Sequence, residues 1–135
     1  MVLAYGTNEL SNERLNVAQY ERDLRALVER VQKAAPRASC LLVGPADVPL
    51  LQPDGAWTVR PSEAEVVAVQ RRVAAERGCG YFDLVAFQGG PGSMPRWVAH
   101  VPPLARPDHT HFTAEGHQRI AAELERALLE GLGEE

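Results

Sequence analysis

The stretch Ala38-Ser-Cys-Leu-Leu-Val-Gly-Pro45, ASCLLVGP, decides the fold class. A short apolar run broken by Gly-Pro reads as a strand buried on both faces, since a half-exposed strand would alternate with polar residues. Upstream, a helix is expected from Glu13 to Ala35, with Ser11 and Asn12 as candidate caps. Val17, Tyr20, Leu24, Leu27, Val28 and Val31 recur there at helical spacing, and Pro36 ends the pattern. Downstream, Ser62 and Glu65 have capping-box spacing and open a helix to Arg77, which Gly78 closes. A buried strand between two such helices is the unit of a parallel α/β sheet.

The pattern continues in both directions. Met1 to Tyr5, closed by Gly6, reads as a first strand, and Tyr81 to Val85 (YFDLV) as a third. Ala46 to Arg60 reads as a proline-rich loop. Ala86 to Pro107 is a long irregular segment containing GGPGSM, and loops of that length in a small domain usually serve function. Thr113 caps a last helix whose Ile120, Ala121, Leu124 and Leu128 face inward. The expectation is one α/β domain over residues 1–135, with helices on both faces of a parallel sheet and a frayed tail at 131–135.

Composition narrows the function. The chain has 135 residues, 45% of them hydrophobic, enough for one core. Fourteen Lys plus Arg against eighteen Asp plus Glu give a net charge of -4 with no basic block, which argues against a nucleic-acid partner. The charges between Glu21 and Arg30 read as a solvated helical face. No apolar run is long enough to span a membrane, so no membrane partner is expected. MVLAYGTNEL carries no visible export signal, and the compartment stays open. Cys40 and Cys79 are read as small buried hydrophobes, with a bridge between neighbouring strands as the alternative.

In an open α/β sheet, chemistry collects at the carboxyl ends of the strands. Gly6-Thr7-Asn8-Glu9 follows the first strand. The long loop after the third leads to Asp108-His109-Thr110-His111. Both clusters therefore belong on one rim. An aspartate three residues before a histidine can accept its ring N–H, fix the tautomer and leave the other nitrogen as a base. The Asn8 amide can donate to a developing oxyanion, worth about 3 kcal/mol in well-studied sites. Gly6 lets the backbone turn there. The bland alternatives are a capping Asp108, a packing His111 and an Asn8 that only makes a turn. A zinc reading would use Asp108, His109 and His111, with His117, but no second cluster of ligands supports it. His109 and His117 are otherwise surface residues, and Trp97 and Phe87 read as packing or a substrate wall. Gly89 to Gly92 could cradle an anion, yet no Gly-Lys-Ser/Thr follows as in a P-loop. Neither a metal nor another cofactor is called for.

Gly6-Thr-Asn-Glu9 and Asp108-His-Thr-His111, the latter followed by Phe-Thr-x-x-Gly through Gly116, resemble the Asn block and the Asp-x-x-His block of the SGNH, or GDSL-like, hydrolases. The GGPGSM stretch and Trp97 are similar to the subgroup that includes peptidoglycan and carbohydrate O-acetylesterases. The resemblance implies a flavodoxin-like three-layer fold and hydrolysis of an acetyl or short acyl ester of a carbohydrate. It makes His111 the base, Asp108 its orienting acid and Asn8 an oxyanion donor. It also implies a Gly-Asp-Ser block ahead of the Asn block, and no Gly-Asp-Ser occurs in these residues. The expectation is a sheet shortened to about three strands, with no nucleophile of its own and an exposed edge on its first strand. A homo-oligomer or a complementary chain would cover that edge, and the serine would come from an upstream segment or a second chain. The alternative is an inactive remnant acting as a binding or assembly module. Ser93 lacks the strand-to-helix turn that presents a nucleophile. Ser11 reads as a cap, and Ser39 and Ser62 sit at element starts away from the rim.

Overall fold

The computed structural model describes residues 1–132. Three parallel strands, β1 (Val2–Ala4), β2 (Leu41–Val43) and β5 (Gly80–Phe82), form the central sheet in the order β1-β2-β5. Their register puts Ala4, Val43 and Phe82 side by side, so all three strands end on one rim. Period-2 alternation divides β2 between two cores. Leu42 is buried with Tyr20, Leu24 and Val28 of helix α2 (Val17–Ala34) and Val66, Val69 and Val73 of helix α3 (Glu63–Glu76). Leu41 and Val43 point the other way. They pack on a cluster with Phe82, Met94 and Trp97 of helix α5 (Met94–Val98), Leu104, and Ile120 and Leu124 of helix α6 (Ala114–Leu132). The fold is the three-layer α/β arrangement expected.

Several boundaries move for local reasons. Helix α2 begins at Val17, because Asn16 Oδ1 caps the Gln19 amide at 3.0 Å, while Asn12 turns back on the Arg14 amide. Thr7–Leu10 forms a short helix α1, with the Glu9 carboxylate accepting from the Gly6 amide at 3.0 Å. The third strand stops at Phe82, since Asp83 Oδ1 accepts from the Ala86 amide and starts helix α4 (Leu84–Gln88). Ser62 precedes α3 without a side-chain cap, so the capping box does not form. The loop at 46–60 contains a hairpin, β3 (Leu50–Leu51) against β4 (Trp57–Thr58), turning through Asp54-Gly55. The frayed tail falls partly outside the described residues, and α6 continues to Leu132.

The cysteines correct the first reading. Cys40 and Cys79 form a disulfide, with an S–S distance of 2.06 Å, immediately before β2 and β5. The parallel register that pairs Leu41 with Gly80 brings the preceding residues to bridging distance. The charged faces of α2 and α3 also do more than meet solvent. Arg72 and Arg25 both bind Glu21, Arg25 reaches Glu76, and Arg77 reaches Glu29.

Candidate active site

The Asp108–His111 loop is a closed knot of backbone. Ala105 bridges Phe112, and the Arg106 amide donates to the His111 carbonyl at 2.7 Å. Thr113 fastens its C-terminal end, with its hydroxyl donating to the Pro103 carbonyl at 2.6 Å and accepting from the Gly116 amide at 3.2 Å. Gly116 is the contact point of α6 with this knot: a Cβ there would lie 1.9 Å from the Leu104 carbonyl oxygen. Below, Phe112 packs edge-on against Trp97, whose indole N–H donates to the Gln88 carbonyl. Trp97 is buried, so its role is packing.

At the tip of the loop the Asp108 carboxylate is fully engaged. Oδ1 accepts from the Thr110 and His111 amides, each at 3.0 Å, and Oδ2 lies 2.8 Å from His111 Nδ1. The His111 amide, then its ring, then the Thr110 amide hold the Asp108 carboxyl down at about 2. Beside an ionised carboxylate Nδ1 must carry the proton, so Nε2 of neutral His111 is left as the acceptor. The His111 ring is exposed.

Gly6 and Asn8 stand just past the C-terminal end of β1, on the rim where the three parallel strands end. Gly6 adopts φ 111°, and a Cβ there would lie 2.8 Å from Gln70 Nε2 and 3.1 Å from Pro45. Gln70, buried in α3, donates to the Tyr5 carbonyl and to the Tyr20 hydroxyl, so the turn after β1 is set from below. Asn8 is exposed on α1, beside a cleft of about 270 Å³ lined by Tyr5, Gly6, Val43, Gly44 and Leu84. The structure thus joins Asp108 to His111 directly. Among the described residues no hydrogen bond links Asn8 to His111.

The other imidazoles point elsewhere. His109 stacks on Trp57 with ring centroids 3.9 Å apart, and His117 lies edge-on to Phe112. Among the described residues no three His, Cys, Asp or Glu side chains gather as a metal set. Ser93 is fully buried at the start of α5, out of reach of a substrate.

Two further features were missed in the sequence. One is the Trp57 hairpin, for which Pro53-Asp54-Gly55 between apolar pairs was the available signal. The other is a buried carboxyl pair, Asp47 and Glu63, behind the rim. Asp47 Oδ2 accepts from the Met94 amide at 2.7 Å, while Asp47 Oδ1 and both Glu63 oxygens lack any donor. Burial, then the Asp47 carboxyl beside it, pushes Glu63 up to about 8, so Glu63 keeps its proton at neutral pH.

No curated protein matches the chain significantly. A solved structure of a peptidoglycan O-acetylesterase superposes with a TM-score of 0.85 at 30% identity, covering 96% of this chain and 36% of that one. This chain therefore spans about a third of the length of that relative. The model of the GDSL-like lipase/acylhydrolase family matches residues 1–119, most of the chain, and the chain belongs to that family.

Proposed function

We propose that this chain supplies the acid–base half of an ester hydrolase acting on acetyl or short acyl esters of carbohydrates. The observation that carries the reading is the Asp108–His111 pair, with Nδ1 held by a carboxylate and Nε2 turned free in an exposed ring. His111 would take the proton of a serine hydroxyl as the serine attacks the ester carbonyl. It would then return that proton to the departing alcohol, and activate water to release the acyl group. Asn8 would donate to the oxyanion, from a turn whose shape Gly6 allows. The carbohydrate ester follows from the likeness to the peptidoglycan O-acetylesterase.

The serine would be carried by a strand–helix unit outside these residues, seated along β1. Among the described residues β1 pairs on one side only, with Val2 and Tyr5 exposed. A groove lined by Tyr5, Leu15, Leu24 and Leu27 opens nearby. The share of the related esterase left unmatched is long enough to provide such a unit.

The test is complementation. This chain is mixed with a polypeptide carrying the Gly-Asp-Ser strand and helix of the related esterase, and acetate release from an O-acetylated carbohydrate is followed. Release that needs both partners and vanishes with His111→Ala supports the proposal. Release that survives that substitution, or none from a complex shown to have assembled, overturns it and favours a module without catalysis.

A further inference from the structure

We propose that Trp57 is a positioning residue for the Asp108–His111 pair, acting through His109. The inference rests on the reading of that pair as the working half of a hydrolytic site.

His109 is the one non-glycine residue with positive φ, at 55°, among the described residues. A left-handed conformation without glycine costs on the order of 1 kcal/mol or more and persists only where surroundings hold it. At this position the conformation has a purpose. It folds residues 108–111 so tightly that the amides of Thr110 and His111 both return to Asp108 Oδ1. The same turn sets Asp108 Oδ2 against His111 Nδ1. If His109 relaxed to an ordinary conformation, the carboxylate would lose its two amides, and the ring contact would go with them.

Three contacts hold His109 in place. Its amide donates to the Arg106 carbonyl at 3.0 Å, and its Nδ1 lies 2.9 Å from the Pro107 carbonyl. Both of these come from the same loop. The third comes from elsewhere in the chain: the Trp57 indole stacks on the ring, with planes inclined by 23°. Trp57 sits on a braced hairpin, where the Gln52 amide donates to the Ala56 carbonyl and the Gln52 side chain to the Thr58 hydroxyl. Asp108 and His111 are themselves exposed, so burial does not fix them. The stack is a tie between the loop tip and a distant part of the chain, beside the anchoring of Phe112 on Trp97. The ring that Trp57 stacks on is that of His109, the neighbour of Asp108, which is why its role is positioning.

The experiment reads the His111 tautomer in this chain with ¹⁵N-labelled histidine, at about pH 8.5 where an unperturbed imidazole is neutral. The wild-type ring is expected as the Nδ1–H form. Trp57→Ala is expected to shift His111 several-fold toward the Nε2–H form with little change in melting temperature. Trp57→Phe, which keeps a stacking face, should restore the wild-type signal. His109→Ala should match Trp57→Ala, and the double variant should go no further. An unshifted tautomer in Trp57→Ala overturns the proposal. A wild-type His111 without the Nδ1 proton overturns the underlying reading of the pair, a result distinct from the first. Should Trp57→Ala fail to fold, Trp57→Leu, which keeps apolar bulk and removes the stacking face, decides by the same criterion.

Discussion

Asp108 grips His111 at two places, the ring nitrogen at 2.8 Å and the main-chain amide at 3.0 Å, so one carboxylate sets both where the imidazole sits and which nitrogen bears its proton. Asp108→Asn separates these roles. The amide oxygen can keep the main-chain bonds, while its NH₂ faces Nδ1 and favours the opposite tautomer. In the complemented enzyme kcat is expected to fall by about 10⁴, with the melting temperature nearly unchanged. A loss under tenfold would show that the carboxylate is dispensable.

The same carboxylate has a defined acid limit. Its folded value lies below its ordinary one, so its contribution to stability is complete above about 4 and is lost as pH falls toward about 2. A ¹³C titration of the Asp108 carboxyl should therefore show the charged form persisting to about pH 2. A midpoint near 4 would mean the loop does not hold the anion.

Two glycines should resist substitution to different degrees. Gly116→Ala drives a Cβ into the Leu104 carbonyl and is expected to cost about 3 kcal/mol in urea unfolding. Gly6→Ala combines a positive φ with a clash against the Gln70 side chain, which can shift, and about 2 kcal/mol is expected. Equal and small losses would show that the loop and the β1 turn give way easily.

The glycines also mark what could be read from residues alone. The apolar runs at Leu41–Val43 and Val2–Ala4 declared themselves as strands because nothing polar interrupts them, although only Leu42 is buried and β1, at the sheet edge, leaves Val2 and Ala4 exposed. Asp108 and His111 were visible because their contact is local, three residues apart. The third strand ran too long on paper, because Leu84 and Val85 look β-like until Asp83 caps a helix. The disulfide depends on register between strands 39 residues apart, which composition does not carry. The Trp57–His109 stack spans 52 positions, and no local pattern announces it.

Glu63 makes stability fall with alkalinity. The folded state keeps its proton where the unfolded chain has released it, so stability is highest below about 4.5 and declines as pH rises toward about 8. Glu63→Gln should flatten that decline, and its advantage over wild type should grow across the same window in thermal melts. Parallel curves for the two proteins would contradict a protonated Glu63.

Reducing the Cys40–Cys79 bond opens a link between residues 39 positions apart and should lower unfolding stability by about 2–4 kcal/mol. A Cys40→Ala/Cys79→Ala double variant gives the comparison without reductant. Unchanged midpoints in both would show that the strands hold without the bond.

That cross-link lies where β2 and β5 begin, whereas the Asp108–His111 contact is made within its own loop. Durability and the alignment of the His111 ring are thus set by separate parts of the chain. The redox poise of the surroundings would govern how long the molecule survives, while leaving the imidazole's alignment untouched in every copy still folded.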